Sequence, residues 1–154
     1  MITLRTISEA SREIFFSKTW EEYRVELLGA GFTNEQADTN IDQNRSQIFT
    51  DGVLNDDQHI FDVFNERERV GTLWLASKES TSAGEWFIYD IVIEAAYRGK
   101  GLGKELMLAA EEFVKSNGGT ILALNVFGPN TVARNLYESL DYKITRIGMK
   151  KHLS

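Results

Sequence analysis

Cysteine is absent from this chain of 154 residues, which excludes disulfides, thiolate metal sites and cysteine nucleophiles. Histidine is nearly absent: His59 and His152 lie far apart without a ligand-spaced partner, so no metal site is expected. Both are expected as half-buried strand residues. No apolar run approaches a membrane span, and the N-terminus lacks a basic start followed by an apolar core, so the expected location is cytoplasmic. An excess of basic residues is also missing. With 17 Lys and Arg against 23 Asp and Glu, the net charge is −6, which argues against nucleic acid and membrane partners and favours a small-molecule or cationic one. What is present is 42% hydrophobic residues, enough for one real core, so residues 1–154 are expected to form a single domain. Oligomeric state, a homodimer included, is left open.

Periodicity orders the chain as βααβββαβαββ. Ile2 to Ile7 alternates as a strand, and Ser8 can cap a helix that runs to the Gly29-Ala-Gly31 stop. Thr33 to Gln36 is a capping-box pattern opening a polar helix that fades near Phe49, and Thr50 to Gln58 reads as a polar loop. Strands are expected at His59–Phe64 and Arg69–Ala76, joined as a hairpin through Asn65 to Glu68. After a polar break from Lys78 to Gly84, Trp86–Ile93 is apolar on both faces, as in a central buried strand. A helix from Leu102 to about Ser116 carries Leu106, Ala109, Ala110 and Phe113 on one side. Thr120–Phe127 reads as a buried strand, Asn130–Leu140 as a helix, and Tyr142–Ile147 and Met149–Leu153 as two last strands. The pattern is that of a mixed α/β sheet with helices on its faces.

Between the strand ending at Ile93 and the following helix stands Tyr97-Arg-Gly-Lys-Gly-Leu-Gly-Lys104, with glycines at 99, 101 and 103. Glycines there leave backbone amides uncovered at a helix start whose first N–H groups have no intrahelical partner, which suits phosphate. Arg98, Lys100 and Lys104 add positive charge. The spacing decides which phosphate. Gly99 and Gly103 are one residue too close for a Walker A loop, with Glu105 where the magnesium-binding hydroxyl would stand, and the third glycine is one residue early for a dinucleotide fingerprint. A purely structural strand-glycine-helix turn stays open at this point. A second segment is Asn130-Thr-Val-Ala-Arg-Asn-Leu-Tyr137, in which Asn130 and Tyr137 are two helical turns apart, hence on one face, with the small Ala133 between them.

Together these segments resemble the GNAT superfamily of N-acetyltransferases. Arg98-x-x-Gly101-x-Gly103 is similar to its acyl-CoA pyrophosphate loop, and Asn130, Ala133, Leu136 and Tyr137 match its Asn-x-x-Ala-x-x-Leu-Tyr helix. Asp141-Tyr142 replaces the family's Gly-Phe; Asp tolerates a left-handed turn, so the turn is expected to survive. Phe87 to Asp90 and Lys150-Lys151 are similar to a bacterial subgroup of uncharacterised members. The resemblance implies one mixed, mostly antiparallel central sheet of about seven strands with helices on both faces.

It also implies acetyl-CoA as cosubstrate. The backbone of Gly99, Lys100, Gly101, Leu102, Gly103 and Lys104, assisted by Arg98, would hold the pyrophosphate. The backbone of Ile91, Val92 and Ile93 would pair with the pantetheine arm and aim an N–H at the thioester carbonyl, stabilising a developing oxyanion. Asn130 would contact the pantetheine amides. Tyr137, a phenol titrating at about 10, would return a proton to the departing thiolate; its ordinary alternative is a core-edge aromatic.

The base is Asp90 or another group. Asp90 interrupts an apolar strand, where burial should raise its pKa, but a buried structural carboxylate fits the same position. Glu85 is a weaker alternative. The acceptor read from these residues is a small-molecule or peptide primary amine, with a tilt toward a cationic one from Asp51, Asp56, Asp57 and the N-terminal glutamates. His59, beside that acidic loop, is kept as a substrate contact. Trp20, Tyr23, Trp74, Trp86, Phe87 and Tyr89 are divided between core and acceptor groove in a way that spacing does not decide. Two other classes remain: a CoA-binding sensor without turnover, and a structural domain whose loop binds nothing.

Overall fold

A computed structural model describes residues 1–78 and 84–154, so most of the expected polar break lies outside the described residues. The chain forms two compact units, Met1–Leu124 and Asn125–Ser154. The first is built on a mixed sheet. Strands β1 (Ile2–Thr6), β4 (Gln58–Asn65), β5 (Glu68–Ser77), β6 (Glu85–Ile93) and β7 (Ile121–Leu124) stand in the order β1-β4-β5-β6-β7. All neighbours are antiparallel except β6 and β7, the parallel pair that helix α3 (Leu102–Ser116) connects. Helices α1 (Glu9–Gly29) and α2 (Asn34–Ile48) fill the space between β1 and β4 in sequence.

Local chemistry sets these boundaries. The Ser8 Oγ accepts the Ser11 amide at 3.2 Å and starts α1. The capping box of α2 forms as expected, with Gln36 N–H donating to Thr33 Oγ1 at 3.1 Å and Thr33 N–H to Gln36 Oε1 at 2.9 Å. The β4–β5 hairpin closes on Glu66-Arg67, with Glu66 at φ 56°. Gly71 on β5 is required by a close approach: a Cβ there would meet the Val92 carbonyl oxygen of β6 at 1.9 Å.

Alternation along β4 separates two cores. Ile60 points with Trp74 to the α1–α2 side, where Phe16 packs edge-on against Trp74 (5.3 Å) and Phe49 (5.1 Å). His59 and Phe61 point the other way and pack with Phe113 of α3 at 5.4 and 4.9 Å. Helices therefore cover both faces. The buried side of α3 is Leu102, Leu106, Met107, Ala110 and Val114; Ala109 and Phe113, expected on it, are half-buried at its border.

Several expectations are corrected. The segment read as a polar loop contains a two-stranded hairpin, β2 (Phe49–Thr50) with β3 (Val53–Leu54), turning on Asp51-Gly52 at φ 52° and 77°. Strand β6 is not central but second from the edge, and is only half-buried beyond Ile88. Strand β7 is four residues rather than Thr120–Phe127, because it pairs with β6 on one side alone and stops at Leu124. The expected mixed, mostly antiparallel architecture of seven strands with helices is present, and among the described residues its strands stand as five in one sheet and two in a hairpin.

The second unit contains helix α4 (Thr131–Ser139) with the segments before and after it. Asn130 caps α4, its Oδ1 accepting the Ala133 amide at 3.2 Å. The helix ends in a Schellman motif: Tyr142 N–H donates to the Tyr137 carbonyl (3.0 Å) and Asp141 N–H to that of Glu138 (3.1 Å). Asp141 stands at φ 67°, so the left-handed turn survives without glycine, as expected. Within the second unit neither Tyr142–Ile147 nor Met149–Leu153 is assigned as a strand. Ile144, Ile147, Met149 and Leu153 remain exposed, and alternation without a partner or burial makes no strand. His152, expected in the last of them, is an exposed residue outside any strand.

Candidate active site

Strand β6 carries three consecutive features. Its ladder with β5 slips between Trp74↔Asp90 and Leu75↔Ile88, so Tyr89 is the extra residue of a β-bulge. On its other side the pairing with β7 ends at Ile88↔Leu124. Among the described residues, Asp90 to Ile93 therefore have a ladder partner on the β5 side only, and no described strand pairs with their opposite backbone edge. Directly beyond comes a single turn of 3-10 helix, Ala95–Tyr97, and then the glycine loop.

In that loop Gly99 and Gly101 adopt φ 77° and 79°, and a Cβ at either would meet nothing within 4 Å. Gly101 is the N-cap of α3 and supplies no side chain to it. The first helical bond is Glu105 N–H to the Gly101 carbonyl (3.3 Å), so the amides of Leu102, Gly103 and Lys104 precede the intrahelical ladder. The Arg98 Nε donates to the Ile93 carbonyl at 2.8 Å, fastening the loop to the end of β6. Lys100 reaches over the Tyr97 ring, 5.8 Å from its centre. An uncovered helix start with three cations and open space beside its glycines fits a pyrophosphate.

On the α1–α2 side of the sheet lies a cavity of about 730 Å³, within the range of small-molecule sites. Trp20 and Tyr23 from α1, Trp74 from β5 and Tyr89 from β6 supply its aromatic wall. Glu22, Glu26, Asp57 and Asp90 supply carboxylates, and Lys78 an ammonium that sits 4.4 Å from the Phe87 ring centre. Gln58, buried at the base, accepts from Trp74 Nε1 at 2.8 Å and donates to Asp57 Oδ1 at 3.3 Å. The indole N–H of Trp20 is buried without a hydrogen-bond partner.

Asp90 is half-buried where β6 meets this cavity. Desolvation raises its pKa, the nearby Glu22 raises it further, and the Ile91 amide and Lys18 oppose the shift. Burial and Asp57 likewise raise the Tyr89 phenol. A carboxyl held above its ordinary range on a cavity wall can take a proton from an ammonium or a water.

The sequence-derived residues are thus divided. Asp90, Ile91, Val92, Ile93 and the loop from Arg98 to Lys104 are brought to one end of β6 within the first unit. Asn130 and Tyr137 lie in the second unit, where Asn130 is the cap of α4 and Tyr137 is half-buried, its ring 6.1 Å from that of Tyr142. Glu85 opens β6 at the opposite end from Ile93 and is not part of the cavity wall. His59 is corrected: it faces α3, stacked among Phe61, Trp86 and Phe113, and burial lowers its pKa against a weaker upward pull from Asp57. Its neighbour Gln58 has the cavity position instead, as a period of two requires. Of the acidic loop only Asp57 reaches the cavity; Asp51 and Asp56 are solvated. Trp86 belongs to the α3 core, and Phe87 lies beside Tyr89 (4.9 Å) outside the wall.

A mixed sheet whose parallel pairing ends beside a bulged strand, followed by a glycine-lined helix start, is an arrangement suited to a phosphate-bearing ligand. The profile of the Acetyltransferase (GNAT) family matches residues 13–142, and the chain belongs to that family. Its acyl donor is acetyl-CoA, the cosubstrate of the family. The chain is 36% identical over 112 residues to the "Uncharacterized N-acetyltransferase YycN" of Bacillus subtilis (strain 168), covering 70% of this chain and 72% of the relative. It is 29% identical to YdgE of the same organism, also an uncharacterised N-acetyltransferase, over 98% of both chains. The crystal structure of YycN superposes with a TM-score of 0.84 over 100% of this chain and 99% of that one, at 29% identity. AAC(6')-Iy, solved with a bisubstrate analogue of CoA and acetylneamine, shares the fold at a TM-score of 0.58 and 14% identity, over 100% of this chain and 99% of its own. Among the described residues no helix is long and apolar enough to cross a membrane.

Proposed function

We infer that the chain moves the acetyl group of acetyl-CoA to a primary amine by direct attack within a ternary complex. The observation that carries this reading is Asp90: a carboxyl of raised pKa on the wall of a ligand-sized cavity, on the strand that runs into the glycine loop. The amides from Gly99 to Lys104 hold the pyrophosphate, with Arg98, Lys100 and Lys104 neutralising charge around it. The backbone edge of Ile91 to Ile93 away from β5 pairs with the pantetheine arm and offers an N–H to the thioester oxygen. Acetyl-CoA supplies an activated carbonyl.

The acceptor arrives as an ammonium and must lose a proton before its nitrogen can attack. Asp90, ionised above its raised pKa, takes that proton directly or through water. The new C–N bond forms as the C–S bond breaks, and a phenol at Tyr137 returns a proton to the thiolate, giving an acetamide and free CoA. Tyr137 is supported by its match to the family's motif, and so is a contact from Asn130 to the pantetheine amides. With Oδ1 engaged by the Ala133 amide, Asn130 would use its amide nitrogen for that contact. Without cysteine no thiol can carry an acyl-enzyme.

A thiol-release assay with acetyl-CoA across amine classes, joined to calorimetric CoA binding, tests the reading. Asp90→Asn and Tyr137→Phe should each lower kcat by about 10- to 1000-fold with CoA affinity retained. Full turnover in Tyr137→Phe would remove the acid. CoA binding without thiol release from any amine would instead mark a sensor.

A further inference from the structure

The cavity wall carries more negative charge than one reacting amine requires. Glu22 and Glu26 stand one helical turn apart on α1, Asp57 precedes β4, and Asp90 is on β6, so three separate elements bring carboxylates to one space. If Asp90 is set aside for proton transfer, Glu22, Glu26 and Asp57 remain on the wall, where among the described lining residues Lys78 is the one cation, placed over Phe87. Glu22 has a partner in Lys18 at 3.9 Å, an exposed pair of little weight. Among the described residues Glu26 has no ion pair.

The rest of the wall has the chemistry of a cation site as well. Trp20, Tyr23, Trp74 and Tyr89 line the same space, aromatic faces attract cations, and the Arg45 guanidinium already stands over the Trp20 ring at 5.6 Å. Glu22 is close enough to raise the Asp90 carboxyl, and Glu26 lies a further turn along α1, about 6 Å on. The carboxylates thus lead away from the reacting position along one helix.

On the reading that this cavity takes the acceptor amine, we propose that it selects a di- or polycationic amine: one nitrogen is presented at Asp90 while a second ammonium is held over Glu22 and Glu26 against the aromatic wall. Linear polyamines and polycationic aminosugars share this chemistry.

The test compares acetyl-CoA thiol release with 1,4-diaminobutane, spermidine, neamine, butylamine and 4-amino-1-butanol. The last two carry the same reacting group without a second charge. The diamine, spermidine or neamine should exceed aminobutanol in kcat/KM by about tenfold or more, mainly through KM and less so at high salt. In Glu22→Gln/Glu26→Gln that ratio should collapse toward one. Preference for spermidine over neamine identifies a linear acceptor, and the reverse an aminosugar. Equal use of diamine and aminobutanol, or a ratio untouched by the double substitution, would overturn the proposal. Calorimetric binding of spermidine to the CoA-bound protein separates the two failures. Spermidine binding that the double substitution abolishes, without thiol release from any amine, would uphold the cation site and sink the acceptor reading. No binding and no turnover would sink both.

Discussion

The two faces of the sheet are made from alternate residues of the same strands, yet they are opposite in character. Toward α3, His59, Phe61 and Trp86 close on Phe113 and the buried row of Leu106, Met107 and Ala110. Toward α1 and α2, Gln58, Trp74 and Asp90 border a cavity of about 730 Å³. Even the ionisable groups shift oppositely: burial lowers the pKa of His59 and raises that of Asp90, in each case disfavouring the charged form. A period of two lets one strand hold the molecule together on one side and carry chemistry on the other.

The largest effect expected from breaking the closed face is Leu106→Ala. Leu106 is fully buried, and its truncation should cost about 3 kcal/mol, read as a lower urea midpoint with an unchanged m-value. A smaller loss is expected at the glycine loop. Gly101→Val places a β-branched residue at φ 79° on the α3 N-cap and should weaken CoA binding by about tenfold in calorimetry while leaving the cavity intact.

The smallest effects sharpen the contrast through pH. A depressed His59 pKa means that the unfolded chain takes up a proton first, so stability is lost as pH falls from about 6.5 toward the lower folded value. His59→Phe should flatten that part of a Tm-against-pH curve. The raised Asp90 pKa acts in reverse: stability present below the ordinary carboxylate range is lost as pH rises through the folded value. Asp90→Asn should therefore melt higher than the native chain at about pH 7, with the gap narrowing toward about pH 4.

What could be read in the sequence was what local chemistry dictates. The caps at Ser8 and Thr33, the left-handed Asp141 and the glycine junction before α3 each depend on residues within one turn of each other. The Asp51-Gly52 turn was equally local: an Asp-Gly pair flanked by Thr50 and Val53 is a hairpin signal, masked by the polarity around it. The cavity is a different matter, since Glu22, Asp57 and Asp90 meet only through tertiary packing. The bulge at Tyr89 depends on register between β5 and β6, which no single strand encodes. Alternation after Tyr142 predicted strands because periodicity reports a face and not a partner. The same limit misplaced His59, one residue out of phase with the cavity-facing Gln58.

The central claim is that the open face transfers acetyl groups through Asp90. Its most direct test is kcat/KM for acetyl-CoA-dependent thiol release against pH, with the best amine of the panel, for the native chain and Asp90→Asn. The account predicts an inflection above the ordinary carboxylate range in the native profile. Asp90→Asn should lack that inflection and fall by about 100-fold with CoA affinity intact. An Asp90→Asn profile that matches the native one in height and shape would contradict it.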